Sequence, residues 1–411
     1  MRPPIGTTLI LTTLALLLAV PVLAPEKLLQ LSIGDPARKD RDAPLVLDAV
    51  TDAKTGEVIT PDEMVRRLAG VRLLLVGEEH TAMEFHRVQA RVVEALVAAG
   101  RRVRIGLEMF PYTEQRFLDQ WRDNRLTEEG FLRLSRWYEN GGYHWLYYRD
   151  IFLFARDHRV PMFAVNTPRE VVSAIRKKGL ANLTPEEAAH IPKEIDVDSA
   201  DYMTFFKASF EGAEGPVHGS GMPDEMWKNM LSAQATWDAT MGYNAVQALR
   251  RDASSDSIMV VLVGSGHVAY GLGIERQARQ WFDGPIATLI PVPVTNRKTG
   301  PVRSVRASYA DFIWGVPEEI DSLYPTLGIS MAVGRGDAAR QVIVVQKGSV
   351  AEQAGFRAGD ILVSMDGAPL ADKETYNRLV ADKSWGDTAT FVVRRGTETV
   401  TLKALFRRKL G

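Results

Sequence analysis

Two Gly-x-x-His tetrapeptides, Gly77-Glu78-Glu79-His80 and Gly264-Ser265-Gly266-His267, hold the side chains best suited to chemistry in this chain. Imidazole titrates near neutral pH and is a common metal ligand. Each tetrapeptide follows a short apolar run, 71–76 and 257–263, that reads as a buried strand. A glycine there lets the backbone turn sharply as it leaves a sheet, and the histidine three residues later points back over the strand end. Two more apolar runs behave alike: 103–107 leads directly into Glu108, and 161–165 into Asn166-Thr167-Pro168-Arg169. One such residue alone is an ordinary solvated loop side chain. Four strand ends that each carry a ligand-type or charged group predict a single site, because sites in open α/β sheets form outside the carboxyl ends of the strands.

The elements between these runs alternate. Phe85, Val88, Val92, Leu96 and Ala99 mark one face of a helix that Gly100 can cap. Helices are predicted over 114–123, 128–137 and 146–157, and this alternation with strands argues for parallel βαβ units. Residues 176–222 read as a long irregular insertion of the lid or binding-loop kind, with His218 in its glycine-rich part. A long helix then runs to about residue 250, with Met230, Gln234, Trp237, Asp238 and Met241 on one face. Met and Trp there suit a core; Gln234 and Asp238 are polar on a face that should be buried. A helix over 274–281 and a strand over 286–291 complete a largely parallel α/β sheet with flanking helices.

These residues together resemble the ChaN family of haem-binding, iron-regulated proteins. The resemblance rests on the Gly-Glu-Glu-His80 turn with His86 and Gln89, on Glu108, and on Asn166-x-Pro168-Arg169. It continues in Gln234-x-x-Trp237-Asp238-x-x-Met241, Gly-Ser-Gly-His267 and Tyr309-Ala310-Asp311-Phe312-Ile313-Trp314. It spans roughly 65–317; the ordered combination is specific, whereas one Gly-x-x-His alone is weak. ChaN shares the paired turns with the Tiki metalloproteases and the erythromycin esterases. The resemblance implies haem held by Tyr and His ligands, which makes His80, Glu108 and His267 the candidate ligand set. Tyr270 is the first candidate tyrosine, with Tyr143, Tyr147 and Tyr148 as others. His86, Gln89, Asn166, Arg169, Gln234 and Asp238 would support them from behind. Haem in ChaN-like proteins can sit between protomers, which extends the expectation to a homodimer.

Composition excludes several classes. The chain has 411 residues, 25% charged and 45% hydrophobic, with a net charge of −1. That length suits two domains, and near-neutrality gives no footprint for nucleic acid. With no cysteine, disulfides, thiolate metal sites, a cysteine nucleophile and a thiol-linked lipid anchor are all excluded. The last is a departure from ChaN-type proteins, which are often lipoproteins. Residues 1–24 read as a secretory signal or a retained inner-membrane anchor, Arg2 preceding a Leu-rich apolar stretch. The body would then be exported to the periplasm, with residues 25–64 as a tether.

The C-terminal part resembles a PDZ domain of the bacterial HtrA type over roughly 323–408. The carriers are Leu327-Gly328-Ile329, the small-residue run 348–355, Ala358-Gly359-Asp360-Ile361-Leu362 and the Asp366-Gly367 turn. In that fold the Leu-Gly-Ile loop would cap a peptide carboxylate while the peptide adds as a strand. Leu327, Ile329 and Leu379 would line the pocket, and C-terminal peptides of envelope proteins would be its ligands. Two functions therefore compete: a haem or iron binder, or a hydrolase in which His80, Glu108 and His267 hold Zn, Mn or Fe. In the second, Glu78 or Glu79 would be the general base. No Gly-x-Ser-x-Gly elbow stands at a strand end, so no serine triad is visible.

Overall fold

The computed structural model describes residues 26–408, apart from 141–142, 211–223, 253, 255, 298, 320–321 and 333–335. The apolar stretch 1–24, expected as a signal or anchor, and His218 lie outside the described residues. Among the described residues, no helix is long and apolar enough to cross a membrane.

Residues 26–59, expected as a tether, are built into the domain instead. A 3-10 turn over Glu26–Gln30 buries Leu28 and Leu29, and Ile33 follows them into the core. Strand β1 (Asp42–Pro44) pairs antiparallel with a later strand, and β2 (Val50–Asp52) and β3 (Glu57–Ile59) form one edge of the main sheet. The charged, Pro-interrupted sequence hid this. Its apolar residues are too sparse for a periodic signal, yet they land where a neighbouring face is already apolar. Helix α1 (Pro61–Arg67) starts at Thr60, whose side chain accepts the Glu63 N–H, with Pro61 in the first turn. Arg67 near its end ties α1 to Asp52 and Glu57 of β2 and β3.

The sheet continues with β4 (Leu73–Glu78), β5 (Arg102–Pro111), β6 (Met162–Asn166), β7 (Ser257–Gly264) and β8 (Ile286–Pro293). A small β9–β10 pair (Thr295–Asn296, Gly300–Pro301) precedes β11 (Ser304–Arg306), the partner of β1, and β12 (Phe312–Val316). The order is β3-β2-β12-β8-β4-β7-β5-β6. Every neighbour from β12 to β6 is parallel, and only β2, antiparallel to both β12 and β3, runs against the rest. All residues of β4 and β7 are buried, as expected of central parallel strands covered on both faces. Because β4, β7, β5 and β6 are neighbours, their carboxyl ends stand in a row.

One face carries α2 (Met83–Ala98), α3 (Gln115–Arg122), α4 (Glu128–Leu134), α5 (Trp137–Asn140) and α6 (Arg149–Asp157), packed around Trp121, Phe131, Trp137 and Phe152. The segment predicted as one helix over 128–137 breaks at Arg136, which sits at φ 49° between α4 and α5. The other face carries α9 (Ala200–Phe210), α10 (Asp224–Arg250) and α11 (Ile274–Ala278), with α7 (Arg169–Lys178) and the short α8 (Pro185–Ala188) flanking α10. Much of the expected irregular insertion is therefore helical, and α9 buries Tyr202, Phe205 and Phe206.

The second domain pairs β13 (Ile329–Met331) with β14 (Val342–Val345), and forms a sheet β16-β15-β17-β18 from Ala368–Pro369, Ile361–Met365, Thr388–Arg395 and Glu398–Leu405. Helices α12 (Val350–Ala354) and α13 (Lys373–Ala381) close its core around Phe356, Phe391 and Phe406. The Gly-Asp motif has a physical role here. Asp360 is fully buried and accepts two hydrogen bonds from Arg395, both 2.8 Å, and one from the Arg357 N–H at 2.9 Å. The two domains meet where α13 packs on α5. Asn377 donates to the Tyr138 carbonyl at 2.6 Å, Arg136 pairs with Asp372 at 3.1 Å, and His144 stacks on Tyr324 at 3.6 Å.

Candidate functional site

The two predicted histidines meet at the strand ends, and glycine is what lets them. A Cβ on Gly264 would lie 3.3 Å from His80 Nε2 and 3.6 Å from a Glu108 oxygen; one on Gly77 would lie 2.8 Å from Ser265 Oγ. Neither glycine adopts a positive φ. Their role is close approach between the two turns, not the sharp backbone reversal expected from the sequence.

Glu78 anchors the first histidine from below. Its Oε1 accepts from Tyr148 Oη at 2.5 Å and lies 2.7 Å from His80 Nδ1, while Oε2 accepts from Gln89 Nε2 at 2.7 Å. His86 completes this corner, 3.5 Å from Glu78 and 3.2 Å from the His80 carbonyl. Burial opposes a charge on Glu78, but His86, His80 and the Tyr148 hydroxyl overcome it and hold the carboxyl below its usual range. His80 itself is 27% exposed and stacks flat on Tyr143, ring centres 4.4 Å apart.

A mirror arrangement holds the second histidine. His267 Nδ1 lies 2.5 Å from Asp238 on α10, and Asp238 also accepts from the Tyr202 hydroxyl of α9. Gln234 sits one turn away at 3.1 Å from the ring, and Trp237 meets it edge-on. Between the histidines stands Glu108. It accepts the Gly264 N–H at 2.6 Å and lies 3.4 Å from His267 Nε2. Asn166 fixes the end of β5 by donating to the Glu108 carbonyl at 2.7 Å.

The charges follow from this ladder. Burial alone would lower His267, yet Asp238 and Glu108 raise it to about 10. His80 is raised as well, with Glu78 and Glu108 outweighing burial and the other histidine. Glu108, although buried, is brought down to about 2 by His267 and His80. Burial keeps Asp238 above its ordinary range in spite of His267 and Tyr202. The pair thus holds one proton firmly between Nδ1 and the carboxylate through the neutral range. Each imidazole uses Nδ1 on its own carboxylate, leaving Nε2 on the side of the cluster. That is the arrangement of a ligand oriented from behind.

Three polar atoms around His267 and its turn, Gln234 Oε1, Trp237 Nε1 and Ser265 Oγ, are buried without a hydrogen-bond partner among the described residues. Such orphans are uncommon and call for an explanation. Among the described residues, no three histidine or carboxylate side chains are placed to hold a metal ion. His80, Glu108 and His267, the trio expected for a divalent metal, meet at the strand ends with His80 tied to Glu78 and Glu108 to Gly264 and His267. Of the two candidate bases, Glu78 is committed to its own partners, bonded to Tyr148, Gln89 and His80.

Tyr270 is not in the cluster. Its hydroxyl donates to the Leu28 carbonyl at 2.6 Å and accepts the Leu31 N–H at 3.0 Å, so it fastens the N-terminal segment. Of the other tyrosines, Tyr148 supports Glu78, Tyr147 bonds Ser322, and Tyr143 lies on His80. Tyr202 was not anticipated, since nothing in the sequence ties α9 to Asp238. Arg169 donates to the Glu139 carbonyl at 2.7 Å near Tyr143. A cavity of about 320 Å³ between α1 and α2, lined by Met64, Arg91 and Trp314 among others, contains none of these residues.

In the second domain Gly328 has φ +80°, and a Cβ there would lie 2.3 Å from Ser349 Cβ, so only glycine fits. Leu327 is 1% exposed and belongs to the domain core, not to a pocket wall; Ile329 and Leu379 are partly buried at the core's margin. On α13, Leu379 and the residues facing α5 (Asn377 and Ala381) lie on opposite sides of the buried Tyr376–Val380 stripe.

A family model described as haem-binding uptake, Tiki superfamily, ChaN matches residues 64–277, and a PDZ-domain model matches residues 325–405. The chain is 25% identical over 258 residues to Protein RETICULATA-RELATED 5, chloroplastic, of Arabidopsis thaliana. That match covers 60% of this chain and spans about a third of the relative's length, 34%. A solved structure of cofacial haem binding to ChaN of Campylobacter jejuni is similar at 16% identity and a TM-score of 0.47, covering 67% of this chain and 96% of that one. The HtrA3 PDZ domain bound to the phage-derived ligand FGRWV is similar at 25% identity and a TM-score of 0.17. It covers 20% of this chain and 83% of that domain.

Proposed function

The chain belongs to the family described as haem-binding uptake, Tiki superfamily, ChaN, and on that premise we propose that it binds haem or a related iron species at the strand-end cluster. The observation that carries this reading is the convergence of His80 and His267 on Glu108, each imidazole held from behind by its own carboxylate. The donor set fits: ferric haem iron takes an imidazole nitrogen or a phenolate oxygen as axial ligand. His80, partly exposed, and the Tyr143 ring against it are the groups that would meet the ligand. Glu78 and Asp238 orient the two rings, and Tyr148, Gln89 and Tyr202 keep those carboxylates in place. The orphaned Gln234, Trp237 and Ser265 atoms are the groups a bound ligand or its water would satisfy.

The hydrolase reading is weaker for a stated reason: Glu78 already accepts from Tyr148 and Gln89 and faces His80, and among the described residues no three histidine or carboxylate groups are placed to hold the metal. We further propose that residues 1–24 export the protein to the periplasm or hold it at the inner membrane. The PDZ domain would capture C-terminal peptides of envelope proteins, and a second copy could join across the haem.

Titration of the purified protein with hemin, read in the Soret band beside elemental analysis of the same sample, tests the binding. A saturable Soret shift that weakens in His80→Ala and His267→Ala is expected. Its absence, or metal-dependent peptidase or esterase turnover lost in Glu108→Gln, would reject it. Light scattering with and without hemin reads whether a dimer forms.

A further inference from the structure

Arg169 and Lys373 are two cations from different domains, each the first residue of its helix, α7 and α13. Among the described residues, neither has a carboxylate within ion-pair distance. The nearby acids are engaged elsewhere. Arg136 takes both the Glu139 and the Asp372 carboxylates. Glu374 is pushed up to about 7 by burial, and one of its oxygens has no hydrogen-bond partner among the described residues. The cations feel each other: burial first, and Arg169 second, bring Lys373 down to about 8. Two partly buried like charges that feel Glu139 only at a distance, with no carboxylate in direct contact, favour an added anion.

Their position says which anion. Helix α5 lies between them, with the Glu139 carbonyl holding Arg169 and the Tyr138 carbonyl holding Asn377 of α13. Three residues beyond α5 comes Tyr143, whose ring covers His80. The positive pair thus flanks the arm that covers the candidate haem site, and haem carries two propionate carboxylates.

We propose that Arg169 and Lys373 bind the propionate carboxylates of the haem, so that the PDZ domain contributes a residue to the tetrapyrrole site. The proposal rests on the haem-binding reading above and adds a group outside the segment matched by the ChaN model. The guanidinium offers a two-pronged contact to one carboxylate and the ammonium a point charge to the other.

The test compares hemin with hemin dimethyl ester, which lacks the free carboxylates, on the full chain. The unaltered protein should bind hemin ~10-fold or more tightly than the ester, the size of one charge-assisted hydrogen bond. Lys373→Met should weaken hemin by a similar factor and leave the ester unchanged. Lys373→Arg, which keeps the charge, should retain the discrimination. Equal binding of hemin and ester, or an equal loss for both in Lys373→Met, overturns the proposal while leaving haem binding intact. Failure of the unaltered chain to bind hemin at all overturns both readings together.

Discussion

Replacing Asp238 with asparagine removes the charge that sets the state of His267 and keeps nearly the same shape. His267 is raised from 6.5 to about 10 because Asp238 at 2.5 Å and Glu108 at 3.4 Å outweigh its burial. At 1.36 kcal/mol per pH unit this coupling is worth roughly 5 kcal/mol of difference between the folded and unfolded states. The sign is fixed by the direction. A histidine raised in the folded state contributes stability that is fully present below its unfolded value of 6.5 and is lost as pH rises through about 10. The unaltered protein should therefore lose stability steadily between those limits. Loss of one nearby opposite charge lowers a histidine by roughly 1 to 3 units, so in Asp238→Asn the titration should fall to the vicinity of pH 7 to 9, and the stability slope should shift with it. Imidazole nitrogen shifts followed by NMR give the titration, and denaturant midpoints at several pH values give the slope. A His267 that titrates near 6.5 in the unaltered protein, or at the same pH in both proteins, would refute the reasoning.

Other outcomes follow from the same geometry. Binding of iron to an imidazole Nε2 must displace its proton, so hemin affinity should rise with pH above 6.5 until His267 has titrated at about 10; a flat profile would mean neither histidine is a ligand. Gly264→Ala places a methyl 3.3 Å from His80 Nε2, and should weaken hemin while costing about 1–3 kcal/mol of stability; unchanged affinity would place the ligand elsewhere. Tyr270→Phe removes two hydrogen bonds to the N-terminal segment, and should cost about 1–3 kcal/mol and leave the Soret band alone. Peptides with free, apolar C-termini should bind the full chain at about micromolar Kd, near −8 kcal/mol, and amidated ones more weakly. Equal binding of both would remove carboxylate capture.

The strand-end residues were legible because a buried parallel strand is a continuous apolar run, and the residue after it must sit at the sheet's edge. His80, Glu108, Asn166 and His267 followed from that alone; Asp238 stood out as polar on an apolar helical face, and the family resemblance assigned it to the site. What failed to show was long-range placement of single residues. Tyr270 is three residues from His267 in sequence, but its backbone turns at φ 61° and points the ring at Tyr309 and the N-terminal segment. Tyr202 reaches Asp238 from a helix whose sequence carries no sign of the contact. The edge strands β1 to β3 are three residues each, too short for a period to register. Leu327 looked like a pocket residue because the loop was recognisable, whereas the direction of one side chain was not.

The most direct measurement is diffraction at the iron absorption edge from crystals grown with hemin. The account predicts an anomalous peak among His80, Tyr143, Glu108 and His267, at the carboxyl ends of β4, β5 and β7. An iron peak in the cavity between α1 and α2 beside Trp314, or anywhere else away from the two histidines, would contradict it.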